Sequence, residues 1–210
     1  MMKNLDLVNA LSIVDFHDGK MRKPEWPSAV RPDTVADVWY WIEENHRCNT
    51  LLWNEEDKAR RSDVVADAIA ACKRLIDQYN QRRNDATEAI DEELLKDLDK
   101  YPRLDNARLN SETAGSMIDR LSILCLKIHH MTEQTLRRDA DEGHISRCRE
   151  KRDRLIEQRE DLSVCVDALL AESRRGTVYF KVYRQFKMYN DPTLNPYLSG
   201  VKNAGGRAER

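Results

Sequence analysis

Residues that interrupt helices are scarce in this chain, and that scarcity is the strongest constraint on what it can fold into. Only 7 glycines and 6 prolines occur among 210 residues. Sandwiches and barrels need turn residues at short, regular intervals, so they are excluded. Between the few breakers, apolar residues recur at spacings of three and four, the period of an amphipathic helix. The chain therefore reads as all-α, a single helical bundle of about five to six helices with a polar, charged interior site.

The punctuation places the elements. Leu5, Val8, Leu11, Ile13 and Phe16 predict a first helix ending near Asp18-Gly19. Three prolines around Trp26 make Met21 to Pro32 an extended loop. Asp33 or Thr34 caps a second helix reaching about Arg61, and Ser62-Asp63 caps a third reaching about Lys100. A fourth runs from Ser111 to about Asp139 and is broken at Asp141-Glu142-Gly143. A fifth runs from Ser146 to Ser173 and stops before Gly176. Val178 to Met188 reads as helix or strand. Residues 1–190 are expected to form the bundle domain and residues 191–210 a mobile C-terminal tail.

Composition narrows the function classes. The 35 basic and 37 acidic residues leave a net charge of -2. Nucleic-acid binders draw their affinity from a basic excess, so no nucleic-acid partner is expected. Five cysteines without paired short spacings suggest neither a disulfide framework nor a zinc signature. No apolar run approaches the ~18 residues that a membrane span requires, and Met1 to Phe16 carries Asp6 and Asp15, unlike a signal peptide. The expected location is the cytoplasm, without membrane insertion.

Polar residues fall in line with apolar ones on three helices. On the second, Val35, Trp39, Ile42, His46, Asn49, Trp53, Glu56 and Arg60 share a face, with Asp57 beside it. On the third, Lys73, Asp77, Asn80, Asn84, Glu88 and Asp91 border the apolar face of Ile69, Cys72, Ile76, Ile90 and Leu94. On the fourth, Arg120, Lys127 and His130 lie between the apolar face of Met117, Leu121, Leu124, Ile128 and Met131 and the apolar pair Ile123 and Leu126. Buried charges need partners. Glu56, Asp57, Asp77 or Asp91 are the expected partners of the fourth helix's cations. The alternative for the third-helix stripe is a solvated strip with Lys73 and Asp77 paired at i, i+4.

These residues also compose three motifs. The first is Asn45-His46, Asn49, Leu52-Trp53, Glu56-Asp57, Ala59-Arg60. The second is Ala70, Lys73-Arg74, Ile76-Asp77, Asn80-Gln81, Arg83-Asn84-Asp85, Glu88, Ile90-Asp91. The third is Glu112 to Ser116, Ile118 to Leu124, and Leu126 to Met131. Over residues 35–140 the chain resembles the bacterial family known as domain of unknown function 4254. Ala114 departs from it, standing where that resemblance implies a proline. The resemblance implies a helical fold, a shared site and gene neighbourhoods of cell-surface glycan synthesis. It implies no reaction.

The expected function is binding of a small anionic metabolite (a sugar phosphate, nucleotide sugar or carboxylate), or catalysis on it, inside the bundle. Arg60, Lys73, Arg120 and Lys127 hold the anion, and Asn49, Asp77, Asn80 and Asn84 complete the polar lining. Trp53 supplies an apolar wall. His46 or His130 acts as acid or base, with Glu56 and Asp57 orienting them or taking the proton. No cofactor or metal is expected in this reading. One alternative is a non-catalytic subunit that docks on an envelope-glycan enzyme through the charged fifth helix or the aromatic segment from Tyr179 to Tyr189; a homo-oligomer is the other assembly expected. Another is a metal–carboxylate bundle, which would use the Glu43-x-x-His46 pair and need a second such pair, for which Asp141 and His144 have the spacing.

Overall fold

A computed structural model describes residues 8–28, 36–185, 191 and 193–199. The chain is an all-α bundle. Five long helices follow one another: α1 (Ala10–Met21), α2 (Val38–Ala59), α3 (Ala66–Leu98), α4 (Ala114–Thr135) and α5 (Glu142–Arg174). A four-residue α6 (Pro196–Ser199) ends the described chain. The main pairings are α2 along α3 and α4 along α5, two helical hairpins, with α4 packed on both α2 and α3 and α1 laid against α4 and α5.

Side-chain caps start four of the helices. Asn9, Asp37, Thr113 and Asp141 accept the amides of Ser12, Tyr40, Ser116 and His144, satisfying donors that have no partner inside the helix. The start of α3 has no such cap: Asp63 pairs with Arg61 instead. The apolar faces meet in one core, in which Ile13, Ile42, Ile90, Ile118, Leu121 and Val166 are fully buried.

The entry of α4 is held from α3. Asp91, buried near the end of α3, accepts the Gly115 amide at 2.6 Å, and a side-chain hydrogen bond from Thr113 also lowers its pKa. Burial outweighs both and pushes the carboxyl up to about 6. A Cβ on Gly115 would stand 2.4 Å from the Thr87 carbonyl oxygen and 2.9 Å from Asp91 Cγ, so only glycine fits. Ala114, where the resemblance implies proline, is the fully buried first residue of the helix.

Several boundaries differ from those predicted. The first helix passes through Gly19 to Met21, and Leu11, expected in its apolar face, is exposed. The second is capped by Asp37; Asp33, Thr34 and Val35 lie outside the described residues. The stretch read as a break, Asp141-Glu142-Gly143, is the start of α5. Asp141 caps it, and glycine in a first turn is cheaper than in a helix interior. Val178–Tyr179 is a strand, paired in parallel with Arg108–Leu109. Gly176 turns the chain into it with φ +72, where a Cβ would meet the Pro102 carbonyl oxygen at 2.2 Å. Of the expected tail, Pro196–Ser199 is a short helix, and residues 192 and 200–210 lie outside the described residues.

Gly115→Ala tests the α3–α4 junction. Overpacking costs about 1–3 kcal/mol, and here the obstructing atom is a backbone oxygen. A loss of about 3 kcal/mol in urea unfolding is expected.

Candidate functional site

The interface between α2 and α4 is polar at its centre. Asn45 and Asn49 stand one turn apart on α2, and both donate to Asp119 Oδ1 on α4 at 2.8 Å. Asn49 also donates to Ser122 Oγ at 3.0 Å, and Asn45 donates to Thr87 Oγ1 on α3 at 3.1 Å. Ser122 Oγ lies 2.8 Å from His46 Nδ1. Asn45, His46, Asn49 and Ser122 are all buried. Buried amides left unpaired would cost ~1–3 kcal/mol each, and the single carboxylate oxygen of Asp119 answers two of them.

Behind this cluster lies a histidine stack. His46 is sandwiched between His17 from α1, at 4.4 Å, and Trp26, at 5.2 Å. Both ring nitrogens of His17 are buried without a hydrogen bond among the described residues. Burial drives the His17 pKa well below its ordinary value, and the neighbouring His46 and Arg159 add to the shift. Burial lowers His46 to about 3, opposed in part by the His17 backbone. At neutral pH His46 is uncharged.

In front of the cluster a cleft of about 440 Å³ opens between α2, α3 and α4. It takes Asn49, Trp53, Glu56, Asp57 and Arg60 from α2, Asn80 and Arg83 from α3, and the apolar Ile123 and Leu126 from α4. Arg60 bridges Glu56 at 3.3 Å and Asp57 at 3.7 Å at the exposed rim. Arg83 lies deeper. Its Nε is buried with no hydrogen bond; the nearest carboxylate oxygen, on Asp119, is 4.0 Å away. Its Nη2 donates to Asn84 at 3.3 Å.

Six of the residues singled out from sequence thus line one cleft: Asn49, Trp53, Glu56, Asp57, Arg60 and Asn80. A seventh, His130, stacks on Trp53 with ring centroids 4.6 Å apart. The others go elsewhere. His46 is sealed behind the polar cluster and is not among the residues lining the cleft. Lys73 and Asp77 pair with each other on the exposed side of α3, which is the solvated-strip alternative. Asn84 donates to Gln185 at 2.7 Å. Arg120 is exposed and bound to Glu112 at 2.7 Å, so none of the four carboxylates expected to answer it does so. It lines, with the exposed Lys127, a separate groove of about 530 Å³ between α4 and α5. The prediction that α4 buries its cations failed because Ile123, counted as core, is a half-exposed wall shared by both depressions.

Two groups were missed. Asp119 stood inside the third motif without being assigned a role; it faces α2, and the signal is the three-residue spacing of Asp119 and Ser122 opposite Asn45 and Asn49. Arg83 stood inside the second motif without being assigned a role. The proposed metal pair is already engaged, Glu43 by Lys20 and His46 by Ser122, while His144 lies beside Cys148 Sγ at 3.4 Å. Among the described residues, the group that gathers three ligand-type side chains is His129, His130 and Glu133, on the last turns of α4. All five cysteines are free, and no helix of the described residues is long and apolar enough to cross a membrane.

A family model matches residues 39–182, that of the family described as Protein of unknown function (DUF4254). No curated protein and no solved structure matches the chain.

The buried imidazoles set the response to acid. A histidine whose folded pKa lies below its unfolded value binds more protons when unfolded, so its contribution is full above ~6.5 and is lost as pH falls. From pH 6.5 to 5, His46 alone removes about 2 kcal/mol, at ~1.4 kcal/mol per pH unit. Asp91 works the opposite way, its raised pKa favouring low pH, but it is common to wild type and a His46 variant and cancels between them. Urea unfolding of wild type and His46→Gln at pH 7 and pH 5 should therefore show the stability difference shifting by about 2 kcal/mol against wild type. An unchanged difference would refute the buried neutral imidazole.

Proposed function

The chain belongs to the DUF4254 family, and on that premise we propose that the cleft between α2, α3 and α4 binds a small anionic metabolite, of which sugar phosphates and nucleotide sugars fit best. The observation that supports this most directly is Arg83. A guanidinium N–H buried without an acceptor costs ~1–3 kcal/mol, and an anionic oxygen entering the cleft would supply that acceptor. Arginine suits this role because its planar fork matches phosphate and carboxylate oxygens.

The rest of the lining selects among anions. Glu56 and Asp57 repel a ligand that is charged along its whole length but accept hydrogen bonds from sugar hydroxyls. Asn49 and Asn80 supply amides that donate or accept. Trp53, Ile123 and Leu126 form apolar walls, and the volume is that of a site for a small organic molecule. A sugar phosphate meets all of these, with its phosphate at Arg83 and its hydroxyls toward the acidic rim. Glu56 and Asp57 are also the cleft groups placed to move a proton on such a ligand. His46 has no such role in this reading; it orients Ser122, which in turn holds Asn49. The five free cysteines suit a cytoplasmic setting, where activated sugars for cell-surface glycans are made, in keeping with the family resemblance.

Thermal unfolding against hexose phosphates, nucleotide sugars and dicarboxylates tests the reading. A ligand of the folded state at a hundred times its Kd stabilises by ~2.7 kcal/mol and raises the midpoint. Arg83→Met should weaken binding at least ~10-fold, the value of a charge-assisted hydrogen bond, while leaving the stability of the free protein unchanged or higher. If no compound raises the midpoint, or if Arg83→Met binds as wild type does, the proposal fails.

A further inference from the structure

We propose that His129, His130 and Glu133 form a binding site for a divalent transition-metal ion of the zinc class. On a helix, residues three and four apart share a face, so both imidazoles reach the same carboxylate. His130 Nδ1 lies 2.9 Å from Glu133 Oε2, and His129 Nε2 lies 3.5 Å from Oε1. The three ligand atoms all lie within 4.8 Å of one another. One ion bound at ~2.0–2.2 Å to each requires them only to draw slightly together, within the freedom of half-exposed side chains. The two rings stand at 82° with centroids 5.2 Å apart, so they do not stack on each other.

Three further features favour an ion over a simple helix-surface ion pair. The His130 ring is held by the nearly parallel indole of Trp53, at 14°, so one ligand is fixed in advance by a residue from another helix. The cluster occupies the last turns of α4 (Ala114–Thr135), where the negative end of the helix dipole favours a cation. Imidazole nitrogens select zinc, nickel or copper over magnesium and calcium, and three protein ligands at a partly exposed position leave room for a water. The site adjoins the cleft through Trp53, which lines the cleft and stacks on His130. The site needs nothing bound in the cleft, so it stands or falls independently of the anion reading.

The experiment uses the full chain, reduced and freed of metal by chelation, with Zn²⁺ as the only probe and no anionic metabolite present. Competition against a zinc indicator should give one ion per chain. His130→Ala and Glu133→Gln should each weaken binding at least ~10-fold, no less than the loss of a supporting residue around a metal site. His144→Ala, which removes the imidazole beside Cys148, should leave binding unchanged. Circular dichroism confirms that the variants fold. Co²⁺ in place of zinc should give d–d absorption without a thiolate charge-transfer band. Absence of zinc binding, equal affinity in the His130 and Glu133 variants, or a thiolate band would each overturn the assignment.

Discussion

At the centre of the bundle the two hairpins are aligned by one carboxylate. Asp119 on α4 receives amides from two successive turns of α2, with Arg83 of α3 a little beyond bonding distance. Apolar contact between helices is tolerant of sliding, because one methyl group replaces another at little cost. A hydrogen-bonded contact is not, since a shift of one residue strands every donor at once. The polar centre therefore sets where α2 lies along α4. Every feature at the surface of that interface, including the cleft and its rim, inherits its geometry from this alignment.

This explains what the sequence disclosed and what it concealed. The helices were legible because breakers are rare and the apolar period is regular. The polar stripe on α2 was legible too, but its surroundings change along its length: Ile42, His46 and Asn49 are buried, Trp53 and Glu56 are half-buried, and Arg60 is exposed. Periodicity reports direction around a helix and says nothing of how far a neighbour extends along it. The same limit misplaced Arg120 and Lys127. Ile123 looked like core, and a residue between two apolar rows looked enclosed, whereas one of those rows lines open depressions. Asp119 was hidden for the opposite reason. Its worth comes from α2 residues some seventy positions earlier, a distance no local pattern spans.

Trp53 joins the features of this face. It lines the cleft, and it stacks on His130, which turns toward Glu133 and lies against His129. Groups drawn from α2 and α4 are thus in direct contact beside a space bounded by α3. Behind them, His17 and His46 occupy volume that apolar side chains would fill at lower cost, and they do so as neutral rings in a dry interior.

The short parallel ladder between Arg108–Leu109 and Val178–Tyr179 has a mechanical meaning. It ties the segment leaving α3 to the segment leaving α5, at the same end of the bundle where Asp91 grips the start of α4. The opposite end, with the turns from Arg60 to Val65 and from Leu136 to Asp141, has no strand pairing across it among the described residues. One end of the bundle is thus joined through backbone pairing, and the other through side chains. Toward that second end, the stacked rings of Trp53 and His130 carry the contact between α2 and α4 from one hairpin to the other.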